Sequence, residues 1–311
     1  MKVIDFHCDT AYVLLKNKDK SLRDSDLKVN VNSLKKGNSI AQFFALFMDA
    51  KENKDNFKTC VNMLNNLKNE FNKNKNEISL CKSYDDYKNN KMNGKISAFL
   101  TIEGGEAIGN NLDNINYFKD LGVSLITLTW NYENNIGYPN CNDYYKTRGL
   151  KKFGIETIER MNDLGIIVDV SHLSDGGFLD VLRYCKKPFV ASHSNSRYIT
   201  NHNRNLTDSM IKSLSNKGGV IGINFCNSFL GDSKIAKIDD MIKHIEHIKR
   251  IGGIDCISLG TDFDGIENEV EIKNIGEIEK LYNELKISGF TYNEIEKIFY
   301  KNAERIIKDI L

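Results

Sequence analysis

The sequence predicts an α/β protein: a (β/α)8 barrel of the TIM type, folded as a single domain over residues 1–311 with extra carboxyl-terminal helices. Three observations carry that expectation. Eight short apolar runs, at 2–9, 39–49, 96–103, 123–130, 166–172, 188–193, 220–225 and 256–263, read as strands buried on both faces. The stretches between them place apolar residues at helical spacing. Nothing divides the chain, which has only 2 prolines, no Gly/Ser-rich linker and no internal repeat. Eight strands alternating with helices close most economically into a barrel. Such a barrel takes about 250 residues, so the surplus falls to loops and the carboxyl-terminal helices.

The helical spacing is plainest in Phe57, Val61, Leu64, Leu67 and Phe71, and again in Ile238, Met241, Ile242, Ile245 and Ile248. Both stripes predict core-facing helices. Residues 51–95 are biased toward Lys and Asn, and they read as the solvated face of one outer helix and its loop. Lys plus Arg number 43 against 42 Asp plus Glu, a net charge of +1. That balance excludes a nucleic-acid or anionic-membrane partner held by bulk charge and favours a small neutral or zwitterionic substrate. The amino terminus lacks a signal-peptide pattern, and no run of about 18 apolar residues occurs. The 7 cysteines are scattered, odd in number and free of any Cys-x-x-Cys pair. A reduced, cytoplasmic protein is expected, its thiols acting mostly as small core residues.

A barrel of this type places reactive groups at the carboxyl ends of its strands. The first run ends His7-Cys8-Asp9, whose alternation puts His7 and Asp9 on one face and Cys8 on the other. The third ends Thr101-Ile102-Glu103-Gly104-Gly105, a carboxylate before two glycines where backbone can turn and a ligand can approach. The fifth and sixth end in Asp169-Val170-Ser171-His172 and Ala191-Ser192-His193-Ser194, two histidines 21 residues apart on neighbouring strands. The eighth offers Asp262 and Asp264, with Asp262 nearer the strand. Three imidazoles and three or more carboxylates around one funnel suit zinc or a similar divalent ion, with one carboxylate free to bridge two metals. Two such ions sharing a hydroxide perform hydrolytic chemistry. Polar groups that only satisfied one another there would carry a desolvation penalty with no return. His244 and His247 fall off the apolar stripe beside Lys243 and Lys249, so a solvated face is expected for both. His202, in the loop after the sixth run, reads equally as a substrate contact or a plain loop residue.

In their joint order these segments resemble the renal (membrane) dipeptidase family of zinc metallopeptidases, within the amidohydrolase-like barrels. The resemblance runs from Asp5-Phe6-His7-Cys8-Asp9-Thr10 through the segments above and Arg204-Asn205-Leu206-Thr207-Asp208 to Gly260-Thr261-Asp262-Phe263-Asp264-Gly265. It implies a distorted (β/α)8 barrel, a homodimer, and two Zn2+ ions per chain acting on small dipeptides, including those with a carboxyl-terminal D-residue. By motif, His7 and Asp9 would hold the first zinc, His172 and His193 the second, and Glu103 both. Asp262 matches the proton-shuttling carboxylate, and Arg204 the residue that grips the substrate carboxylate through two parallel hydrogen bonds. The sequence departs from the family after the fourth run. Mammalian members have a substrate-contacting histidine there, whereas Thr127-Leu128-Thr129-Trp130-Asn131 offers Trp130, whose indole has a single donor. Trp130 is then expected as a pocket wall, and a zinc or Asn131 as the group facing the oxyanion. The alternative on the same metal barrel is a lactonase, cyclic-amide hydrolase or deaminase.

Overall fold

Each of the eight apolar runs holds a parallel strand in the computed structural model, which describes residues 1–311. Numbered in chain order, the strands are β1 (Val3–Asp5), β2 (Ser39–Phe47), β3 (Ile78–Leu80), β4 (Ile96–Glu103), β5 (Val123–Thr127), β6 (Ile167–Asp169), β7 (Val190–Ala191), β8 (Val220–Ile223) and β9 (Ile257–Leu259). Neighbours run β2-β1-β9-β8-β7-β6-β5-β4, and β4 pairs back onto β2 from Ala41↔Ser97 to Phe47↔Glu103, closing an eight-stranded barrel. The ninth strand, β3, lies outside the runs and pairs only with the start of β4. Segment 51–95 therefore holds more than one helix and a loop. Three apolar-edged residues between Lys- and Asn-rich flanks are too short to register as a periodic run.

Thirteen helices surround the sheet: α1 (Thr10–Lys16), α2 (Val31–Lys36), α3 (Asn56–Lys73), α4 (Tyr84–Met92), α5 (Asp113–Leu121), α6 (Lys152–Leu164), α7 (Asp175–Tyr184), α8 (Asp208–Asn216), α9 (Asn227–Leu230), α10 (Ile238–Gly252), α11 (Glu279–Ile287), α12 (Tyr292–Glu296) and α13 (Asn302–Ile310). The two predicted stripes lie on α3 and α10 and face the core. None of the helices is long and apolar enough to cross a membrane.

Inward-facing residues form levels along the strands, as period-2 alternation requires. Ile4, Phe6, Phe43, Phe99, Leu125, Ile167, Val190 and Val220 make a fully buried floor that also packs against Ala303, Ile306, Ile307 and Ile310 of α13. One level higher the barrel narrows. A Cβ on Gly222 would lie 1.9 Å from the Ser192 carbonyl oxygen, so only glycine fits there.

Several strands stop well before their apolar runs do. β6 ends at Asp169 and β7 at Ala191, leaving His172 and His193 in irregular backbone just above the sheet. Likewise β1 ends at Asp5 with a bend at Phe6, so strand alternation is not what orients His7 and Asp9.

Candidate active site

Glu103 is the last residue of β4, and its two oxygens face two clusters. Oε2 lies 3.4 Å from His7 Nε2. Oε1 lies 3.1 Å from His172 Nε2 and 3.4 Å from His193 Nε2. His7 Nε2 in turn stands 3.2 Å from Asp9 Oδ2 and 3.7 Å from Asp262 Oδ1. The residues expected at the strand ends thus converge, drawn from five strand ends far apart in sequence. His172 and Asp262 reach their places with backbone φ of 68° and 61°, a left-handed conformation that non-glycine residues adopt at a cost of order 1–3 kcal/mol.

Hydrogen bonding behind the cluster determines where the imidazole protons sit. Asp169 accepts from the Ser171 and Ser192 N–H groups at 3.0 and 2.8 Å, and from the Thr127 and Ser192 hydroxyls at 2.6 Å each. Ser192 spends its one proton on that carboxylate, so its oxygen must accept from His193 Nδ1, 2.7 Å away. On His172, Nδ1 donates to Asn131 Oδ1 at 3.1 Å. Both Nε2 atoms are left as bare lone pairs. They face each other at 3.1 Å, with Glu103 Oε1 beside them and no proton to share. Three acceptors converging this way call for a cation, and neutral imidazole nitrogens are the form that ligates one.

The first cluster points the same way. Asp9 Oδ1 is buried without a hydrogen-bond partner. Gly265 leaves the space beside it open, since a Cβ there would lie 2.0 Å from Asp9 Oδ2 and 2.8 Å from Asp262 Oδ1. The residues present therefore fit a bound metal, and the oxygen and nitrogen donor set suits zinc. Electrostatics agree. Burial pushes the Asp9 carboxyl up to about 8, with His7 opposing and Glu103 adding to the rise. Burial also opposes charge on His7, but Glu103 and Asp9 outweigh it and hold that imidazole well above its usual range. Burial and the charge on His7 hold His193 well below its usual range, and burial with Arg204 lowers His172.

Asp262 is steadied from behind. Asn224 Nδ2 donates to its Oδ2 at 2.8 Å, leaving Oδ1 toward the cluster. Asp5, wholly buried in β1, accepts from Thr261 N–H and hydroxyl at 2.8 Å each, which ties down the residue before it. Asp264 turns away, accepting from Thr10 Oγ1 at 2.6 Å and the Lys28 N–H at 2.8 Å. Asp5, Asp169, Ser192 and Asn224 escaped the sequence reading. Their one signal was a polar residue inside or ending an otherwise apolar run.

A cavity of about 460 Å³ opens above the cluster, lined by Asp9, Glu103, Trp130, His172, Arg204 and Asp262 among others. Arg204 is buried, and its Nη2 donates to the His193 carbonyl at 3.2 Å. Its Nε and Nη1 are buried with no partner at all. Asn131 does not line this cavity; its side chain orients His172 instead. His202 sits beneath the site, accepting the Arg204 N–H at 3.1 Å and packing on Phe229.

Two expectations for histidines fail. His244 and His247 are buried, not solvated, because the loops after β7 and β8 cover their side of α10. His244 Nδ1 accepts the Ser196 N–H at 3.0 Å while Nε2 donates to the Leu230 carbonyl at 3.1 Å. His247 pairs with Asp208 at 2.7 Å under the ring of Tyr198.

The family model for membrane dipeptidases, peptidase family M19, matches residues 1–311. An uncharacterized dipeptidase of Schizosaccharomyces pombe is 32% identical over 292 residues, covering 85% of this chain and 69% of that protein. A solved M19 metallopeptidase, dipeptidase AC, superposes with a TM-score of 0.93 at 24% identity, over 100% of this chain and 98% of its own. A Rhodobacter sphaeroides metallopeptidase, solved with a phosphinate mimic of the dipeptide L-Ala-D-Ala, gives 0.92 at 23% identity, over 100% and 99%. At those identities the two structures establish the closed barrel.

Proposed function

Because the chain belongs to the membrane dipeptidase family, peptidase family M19, we propose that it is a dipeptidase with two zinc ions per chain. His7 and Asp9 would hold one ion, His172 and His193 the other, and Glu103 would bridge them through its two oxygens. The observation that carries the substrate class is Arg204, a buried guanidinium with two N–H-bearing nitrogens unpartnered beside the cluster. A buried cation needs an anion. A dipeptide's carboxylate supplies one, received in charge-assisted hydrogen bonds.

When bound, the metal pair supplies a deprotonated water at neutral pH and a Lewis acid for the carbonyl. The protein does the rest. Asn224 pins Asp262 Oδ2, so Oδ1 is the atom that takes the proton of the attacking water and returns it to the departing amine. Arg204 holds the carboxylate, which sets the carbonyl carbon over the cluster. Acceptance of a carboxyl-terminal D-residue belongs to the same proposal, supported by the L-Ala-D-Ala mimic bound to the R. sphaeroides relative. So do a homodimeric state and, from 7 unpaired cysteines, a reducing cytoplasmic setting.

The test combines zinc stoichiometry with turnover of L,L- and L,D-dipeptides, with and without a chelator. Two zinc ions per chain and chelator-sensitive hydrolysis are expected. Arg204→Ala should lower kcat/KM for free-acid dipeptides by about 10²-fold or more, and leave their carboxamides far less affected. Equal losses on both would reject the clamp and favour a lactone- or cyclic-amide-cleaving enzyme.

A further inference from the structure

One wall of the cavity is built from rings. Phe47 stands opposite Glu103 in the β2–β4 register, and Tyr12 lies three residues beyond Asp9 in α1. Their rings meet edge to face with centroids 5.1 Å apart, and Phe47 meets Trp130 the same way at 4.7 Å. Trp130 in turn lies 6.3 Å from the His172 ring. All three side chains line the cavity, and all remain partly exposed. Arg204 lines the same cavity and donates to the His193 carbonyl. A dipeptide held by its carboxylate at Arg204, with its carbonyl over Glu103, brings the side chain of its amino-terminal residue within reach of these rings, because Phe47 is the register partner of Glu103 and Trp130 neighbours His172.

We propose that the Tyr12–Phe47–Trp130 wall is the subsite for that side chain and selects a large aromatic one; this rests on the dipeptidase reading above. A ring entering the slot extends the edge-to-face series and buries apolar surface that is otherwise wet. Charge in the cavity lining argues against an acidic side chain. Lys16, which lines the cavity, already pairs with Glu52 at 2.9 Å, and Glu267 adds a carboxylate to the same lining.

The experiment measures kcat/KM for L-Phe-Gly, L-Leu-Gly, L-Ala-Gly and L-Glu-Gly on the zinc-loaded protein, then inhibition by phosphinate mimics bearing a benzyl or a methyl group at the same position. L-Phe-Gly should exceed L-Ala-Gly by on the order of 10²-fold, with L-Glu-Gly last, and the benzyl mimic should bind tighter than the methyl one. In Phe47→Ala and Trp130→Ala the Phe-to-Ala ratio should fall to under about tenfold. The mimics keep the question answerable on the unaltered protein if either variant fails to fold. A preference for L-Ala-Gly, or a ratio unmoved by both substitutions, overturns this inference while leaving the dipeptidase intact. Hydrolysis of none of the four, with neither mimic bound, overturns both.

Discussion

At the level of Phe43 and Phe99 the barrel interior is carbon: the two rings stack at 4.6 Å, Phe6 tilts against Phe43 at 4.8 Å, and Ile4, Leu125, Ile167, Val190 and Val220 beside them are sealed from water. Four residues farther along the same strands, at Phe47 and Glu103, the interior is a mouth of facing lone pairs, left-handed backbone and unpartnered buried atoms. The floor follows the rule that burial stabilises in proportion to apolar area. The mouth breaks it, because each unsatisfied polar atom there destabilises by about 1–3 kcal/mol. A surplus of stability below is what permits strain above, where the reactive geometry requires it. Function and stability occupy separate levels of one set of strands.

The largest effect that separates the levels is expected from Phe99→Ala. Phe99 is fully buried in the floor, four residues before Glu103 on the same strand, so truncation should lower unfolding free energy by about 3–5 kcal/mol. Denaturant midpoints measure this, while zinc content at low temperature should stay at the parent value. A loss below about 1 kcal/mol, or zinc lost along with stability, would mean that the two levels are not independent.

How much of this was legible in the sequence also divides by level. Phe43, Phe99 and Val190 lie in continuous apolar runs, which mark strands buried on both faces without further help. His7, Glu103, His172 and His193 were readable as polar residues closing such runs. What alternation could not reach were contacts between remote segments. Asp169 looks like one polar residue in Ile-Val-Asp-Val, and its role appears only when Thr127 and Ser192 come from neighbouring strands to donate to it. His244 was misjudged for a similar reason: a helical stripe marks the side that faces the barrel, not the side that loops later cover. Asn131 was placed against substrate, yet it meets His172, since sequence order does not say which neighbour a loop amide turns toward.

His244 sharpens the comparison, because it props the loop that follows His193 and so belongs to the support of the mouth. Burial pulls its pKa from 6.5 to about 4, with Asp240 opposing and His247 and Lys243 adding to the fall. An unfolded chain binds a proton on this imidazole near pH 6.5, whereas the folded chain refuses it until about 4. Its contribution is therefore intact above pH 6.5 and drains away as pH falls through that window, by roughly 3 kcal/mol in all. Unfolding free energies from pH 7 to 4.5 should show that slope in the parent and a flatter one in His244→Gln, whose amide can still accept from Ser196. Parallel slopes would remove His244 from the account.

The finest division runs within the mouth, between groups that would touch metal and groups that only aim them. Asp169 is the clearest of the second kind, and Asp169→Asn alters one atom. The Ser171 and Ser192 N–H groups cannot reverse, so the asparagine must present its oxygen to them and its NH2 to the hydroxyls. Ser192 then accepts where it had donated, and its freed proton turns toward His193 Nδ1. The imidazole responds by carrying its own proton on Nε2, where the lone pair facing Glu103 had been. Zinc affinity should fall by about 10- to 100-fold, as for other changes behind a ligating histidine. Competition with a chelator reads the affinity, and nitrogen chemical shifts of His193 read the tautomer. A lesion that merely loosened packing would weaken zinc without moving the proton from Nδ1 to Nε2, so both readouts changing together is the result that identifies Asp169 as the residue aiming His193.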